Sequence, residues 1–215
     1  NIYGGVVSNG VAKNGGNISI SEGSTLNVYG GEIKNGKTLL ATATPLTTDK
    51  DGKVTSYSYT SGLGGNIYLA SGSEFEMNGG TIRGGQAGSY GGNIGSDGMT
   101  LITINGGTIS GGKNSNVRLK FNDSFTMSGG TVTGGSAANG GNFYLEGSSD
   151  AFATLTVTGG TFVLGNADPA TSKAPWIFNA GGQGVAAVTV TGGTYNVDPT
   201  HYHGEAHFPM GYLPV

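Results

Sequence analysis

Apolar residues in this chain come in short runs with polar residues between them. Leu26 and Val28, Phe75 and Met77, Ile102 and Ile104, Phe125 and Met127, Leu155 and Val157, and Val188 and Val190 each sit two apart. The positions between them are polar, for example Glu76, Thr103, Thr126, Thr156 and Thr189. A period of two predicts strands with one buried face. Ile67/Leu69, Val117/Leu119 and Phe143/Leu145 form a second such set, and Ile33, Ile82, Ile109, Val132 and Phe162 a third. No segment carries a 3.6-residue apolar stripe free of glycine, so helices are not expected.

These runs are set in a repeat, the feature that decides the architecture. One motif reads Gly15-Gly16-Asn17-Ile18 and recurs at 64–67, 91–94 and 140–143, with Asn114-Ser115-Asn116-Val117 in the same slot. The other reads Gly79-Gly80-Thr81-Ile82 and recurs, with variation, at 30–33, 106–109, 129–132, 159–162 and 192–195. In four units the distance from first motif to second is 15 residues: 15 to 30, 64 to 79, 91 to 106 and 114 to 129. The full period is 27 residues from 79 to 106 and 23 from 106 to 129. Three inward-facing strands per period predict an all-β fold, a right-handed parallel β-helix (a three-sided β-solenoid) of about six turns. Asn17, Asn66, Asn93, Asn116 and Asn142 would then stack about 4.8 Å apart, as a structural amide ladder or, alternatively, a ligand-binding row. Trp176 falls in the last such slot.

The solenoid is assigned to residues 1–195. Asn1-Ile2-Tyr3-Gly4-Gly5 matches Asn27-Val28-Tyr29-Gly30-Gly31. Residue 1 thus lies in mid-turn, with further turns and domains of the parent chain expected upstream. Residues 35–63 form an insertion whose alternating arms, near 37–60, meet at Asp49-Lys50-Asp51-Gly52, which predicts a protruding β-hairpin. Asn166 to Lys173 reads as a polar loop. Residues 196–215 leave the repeat and read as a C-terminal capping tail.

Composition narrows the function classes. Glycine makes up 44 of 215 residues and proline only 6, without a collagen period. Charged residues are 11% and the net charge is −3, so neither nucleic acid nor an anionic membrane is an expected partner. There is no cysteine for a disulfide or thiolate site. No apolar run approaches the roughly 18 residues of a membrane span, so no membrane insertion is expected.

Phe75-Glu76-Met77-Asn78-Gly79-Gly80-Thr81-Ile82, followed by Gly91-Gly92-Asn93-Ile94, resembles the Gly-Gly-Thr-Ile repeats of large surface, adhesin-like proteins of Gram-positive gut bacteria. Asp198-Pro199-Thr200 and Gly211-Tyr212 look like the segment closing such domains. More loosely, the repeat is similar to the Gly-Gly-Ala-Ile repeats of chlamydial polymorphic outer membrane proteins. Both groups are pectin-lyase-like. The resemblance implies an extracellular or bacterial cell-surface location and adhesion to a host glycan or host surface protein. It transfers no catalytic residue. Pectin-lyase-like enzymes hold Ca²⁺ with carboxylates and use Arg or Lys as base. Here Asp97 and Glu146 would stand about 9.6 Å apart, too far to share one ion, with Lys120 between them.

Candidate chemistry collects on the strand after the first motif. Its outward columns read Ser19, Tyr68, Gly95, Arg118, Tyr144 and Ser21, Ala70, Asp97, Lys120, Glu146. Three readings stand: a surface ion-pair ladder of Asp97, Lys120 and Glu146, a glycan contact using Tyr68, Arg118 and Tyr144, or a catalytic face. Tyr57 and Tyr59 on the hairpin either pack on the wall or offer a binding surface. His201, His203 and His207 are metal candidates or an exposed tail. Asp49 and Asp51 read as a turn or as a partial Ca²⁺ loop. Thr81, Thr108, Thr131, Thr161 and Thr194 align as strand residues or as an ice-binding array. No cofactor is expected. The leading expectation is a non-catalytic binding or scaffold module, with a carbohydrate-active enzyme (polysaccharide lyase or hydrolase) as the alternative and ice binding as the remote one.

Overall fold

The computed structural model describes residues 1–39, 42–60, 62–137, 141–147, 151–163, 166–167, 178–181 and 187–196. Among these residues there is no helix, and the chain is all-β, built on parallel sheets in the manner of a parallel β-solenoid. Each repeat gives one strand to each of three sheets. The first sheet holds the strands after the Gly-Gly-Asn motif: Ile18–Ile20, Ile67–Leu69, Ile94–Ser96, Val117–Leu119, Phe143–Glu146 and Phe178–Gly181. The second holds Thr25–Val28, Glu74–Met77, Leu101–Ile104, Ser124–Met127, Thr154–Val157 and Ala187–Val190. The third starts with Val6–Ser8 and Glu32–Lys34 and continues through Thr81–Arg83, Thr108–Ser110, Thr131–Thr133, Thr161–Phe162 and Thr194–Tyr195.

Register is conserved from repeat to repeat. Phe75 faces Leu26 on one side and Ile102 on the other, and Phe125 then faces Leu155. One residue of slip would turn the apolar set outward, so the alternation locks the stack. The apolar residues of the three periodic sets that lie among the described positions are buried. Large rings fill the interior. Phe125 meets Phe143 edge-on at 5.1 Å, and Phe162 stacks on Tyr195 at 5.1 Å. Burying one such side chain stabilises by about 1.5–3 kcal/mol.

Both glycines of each motif approach other backbone closely, and the one that also turns the chain differs between the motifs. In the second motif the first glycine allows close approach: a Cβ on Gly106 would stand 2.7 Å from the Asn78 carbonyl oxygen. The second, Gly107, turns the chain at φ +89°. In the first motif Gly91 takes the turn. Where the glycines are replaced, Asn114 and Ser115 themselves adopt φ of 63° and 68°.

A short fourth column completes each repeat. Val11–Ala12 pairs in parallel with Lys37–Thr38, Ser136–Ala137 pairs with Asn166–Ala167, and single bridges link Lys37 to Gln86, Gln86 to Lys113 and Lys113 to Ser136. Two sequence boundaries change as a result. Lys37 and Thr38 belong to this column, because the backbone groups of Lys37 and Leu39 bond those of Gly10 and Ala12 in the preceding repeat; the hairpin is Thr42–Thr48 against Val54–Thr60, antiparallel. Asn166 and Ala167 likewise begin as strand rather than loop. The corner after this column absorbs the variation in period. Gln86 and Lys113 are bridged, yet the next motif starts at Gly91 in one repeat and at Asn114 in the next, so residues 87–90 are the extra ones. The hairpin leaves from the same corner. Residues 197–215, with the predicted tail and its histidines, lie outside the described residues, as does Trp176.

Candidate binding face

The first sheet turns its middle residues outward in register: Ser19 opposite Tyr68, Tyr68 opposite Gly95, Gly95 opposite Arg118, and Arg118 opposite Tyr144. These side chains are engaged with their neighbours. The Arg118 guanidinium donates from Nη1 to the Ser96 carbonyl at 2.8 Å and from Nε to Glu146 at 3.0 Å, with Nη2 on the same carboxylate. Its side chain is only 8% exposed. Gly95 in the same column is covered by backbone: a Cβ there would stand 2.4 Å from the Gly64 nitrogen. Lys120 Nζ donates to Asp97 at 2.6 Å, and the Tyr68 hydroxyl donates to the other Asp97 oxygen at 3.1 Å. Glu146 thus pairs diagonally with Arg118 and does not extend the Asp97–Lys120 pair.

The electrostatics follow from these contacts. Burial works against the Asp97 charge, but the hydrogen bond and charge of Lys120, with the Tyr68 bond, outweigh it and hold the carboxyl below its ordinary range. Burial, with Asp97's charge, pushes the Tyr68 phenol up to about 12. Burial also pushes Tyr144 up to about 12, helped by Tyr90 and Glu146. Both phenols therefore stay protonated as donors near neutral pH. The Tyr144 ring stacks on Tyr90, with centroids 3.6 Å apart and planes 7° from parallel. Tyr90 belongs to the extra residues at the corner and holds no repeat position, so alignment of the repeats does not reveal it.

Asparagines run beneath this face as a continuous chain. Each Nδ2 donates to the next Oδ1: Asn17 to Asn66, Asn66 to Asn93 and Asn93 to Asn116 at 2.7 Å, then Asn116 to Asn142 at 2.9 Å. The second Nδ2 hydrogen goes to a third-sheet carbonyl, that of Ser110 for Asn93, and Oδ1 also accepts a corner N–H, that of Gly85. The four inner asparagines are fully buried with their amides in use, which leaves them no group for a ligand.

A buried carboxylate lies inside the tube. Ser96 takes the inward place that Leu69 holds one repeat earlier. Asp123, 1% exposed, accepts from the Thr100 amide at 2.8 Å, the Thr100 hydroxyl at 2.7 Å, the Ser96 hydroxyl and the Lys120 amide. Burial pushes its pKa above the ordinary value, and these bonds pull against that shift. An apolar-polar pattern gives no sign of it, since Asp123 precedes the strand Ser124–Met127.

Other candidates are dispersed. Tyr57 and Tyr59 lie opposite Pro45 and Ala43 in the hairpin backbone, and their side chains lie outside the described residues. The Asp49 carboxylate accepts from the amides of Asp51 and Lys53 at 3.0 and 2.9 Å, so it closes the turn. Thr81, Thr108, Thr131, Thr161 and Thr194 are in direct register. Among the described residues no group of three or more His, Cys, Asp or Glu could hold a metal, and no helix is long and apolar enough to cross a membrane. No family model, curated protein or solved structure is detectably similar to this chain.

Proposed function

We propose that the chain is a right-handed, three-sided β-helix of about six turns that serves as a non-catalytic binding or scaffold module, extracellular or at a bacterial surface. Parallel strands joined by crossovers are almost always right-handed, and the three large sheets support the three sides. The observation that carries the functional reading is the internal pairing on the first sheet. Its arginine and both its carboxylates are held by one another, by Lys120 and by Ser96. A general acid or base must instead be free to exchange a proton with substrate. What the face still offers is half-exposed: Tyr68, Asp97, Lys120 and Glu146.

Insertions gathered at one corner of a solenoid commonly mark its binding side, and here the hairpin and Tyr90 share that corner. A host glycan or host surface protein is the proposed partner. A glycan and host-protein array probed with the whole chain tests this. Lys120→Ala should weaken a captured ligand several-fold with the fold intact. New reducing ends or unsaturated products from a polysaccharide panel would sink the non-catalytic reading in favour of a lyase or hydrolase. The aligned threonines support a second reading, ice binding, for which thermal hysteresis is the measurement.

A further inference from the structure

Away from the first sheet, cationic side chains gather at the fourth column. An open groove of about 450 Å³ runs there, and its lining includes Asn9, Val11, Asn35, Lys37, Gln86 and Lys113. Lys37 and Lys113 bridge to Gln86 from opposite sides, so they stand two strand spacings apart, about 9.6 Å. Neither takes part in an ion pair among the described residues, and the lining holds no carboxylate. Next to the groove, Glu32 is shared by Lys34 and Arg83. Four cations on three successive repeats thus face one carboxylate, in a protein whose net charge is −3. Such a local excess attracts anions against the sign of the whole molecule.

We propose that this groove binds a sulfated glycan chain laid along the stacking direction. The two ammonium groups would each hold a sulfate ester on separate sugars. Asn9, Asn35 and Gln86 would bond hydroxyls, and exposed Val11 would pack against a ring face. Lysine acts as a point charge, whereas a planar carboxylate is best matched by the guanidinium fork, and no arginine lines the groove. Single-stranded nucleic acid sites stack bases on aromatic rings, and the lining has none.

This inference names a ligand class for the module proposed above and rests on that reading. The test titrates a labelled heparin-type octasaccharide onto the whole chain at about 0.15 M salt, beside its desulfated counterpart, polygalacturonate and single-stranded DNA. The sulfated probe should bind at least about tenfold more tightly than the others. Lys37→Gln and Lys113→Gln should each weaken it about fivefold, and the double variant should weaken it further. Lys53→Gln on the hairpin should leave affinity unchanged, and circular dichroism should match the parent throughout. Absence of binding, equal binding of polygalacturonate or DNA, or an unaffected double variant would overturn the proposal. Array capture of neutral glycans alongside failure of the octasaccharide would remove the groove and leave the module standing.

Discussion

Single residues in this fold matter according to how many backbone groups they hold. Asn93 makes four hydrogen bonds from a fully buried amide. Asn93→Ala strands a Gly85 N–H, a Ser110 carbonyl and two neighbouring amides, and should cost about 3 kcal/mol or more. Asn17, at the partly exposed end, makes three, and its replacement should cost less. Chemical denaturation of the two variants tests the order. Asp123 gives a pH test. Its folded-state pKa is raised, so the folded state binds the proton more tightly than the unfolded state. Stability should therefore rise as pH falls from neutral toward the ordinary carboxylate range. Asp97 and Glu32 are held below that range, so their contributions are present above it and are lost only at more acidic pH. The difference between parent and Asp123→Asn across the upper window isolates Asp123; parallel curves there would refute its assignment.

At the scale of the element, the turns between strands carry two separable costs. Gly72 has φ +72° with open space where a Cβ would go, while Gly107 has φ +89° and a Cβ would meet Met77 Cε at 2.5 Å and the Gly80 oxygen at 2.8 Å. Gly72→Ala should cost about 1 kcal/mol, the backbone part alone. Gly107→Ala should cost at least about twice that, because packing must also shift. Thermal melts of both separate conformation from crowding, and equal losses would mean that the stacked corners give way easily. These elements also show what the sequence makes legible. Strand alternation and motif spacing are local, so the buried faces and parallel stacking can be read from residues such as Phe75, Met77 and Ile82. The fourth column cannot: Lys37, Gln86, Lys113 and Ser136 show no apolar alternation and meet only through single backbone bridges. The cover over Gly95 is equally illegible, since it comes from the backbone of Leu63 and Gly64, outside the column.

Across the whole molecule, each strand of the three sheets pairs only with the repeats before and after it. Energy in such an array is close to a sum of repeat and interface contributions, so stability should vary with position. The third sheet offers the comparison, with the same motif in different surroundings. Val6 and Val7 are 61% and 36% exposed, while Ile109 is 1% and Val132 0%. Thr108–Ser110 is paired on both sides, with Thr81–Arg83 and with Thr131–Thr133, whereas among the described residues Val6–Ser8 pairs on one side. Hydrogen exchange should therefore run orders of magnitude slower at Thr108–Ser110 than at Val6–Ser8. The Tyr90–Tyr144 stack tempers this, because it joins repeats that are not sheet neighbours. Tyr90→Ala should speed exchange around Val117–Leu119, the strand between the two rings' repeats, more than at Val6–Ser8. Uniform exchange across all strands would instead mean that the repeats open as one body, and the nearest-neighbour account of this fold would fail.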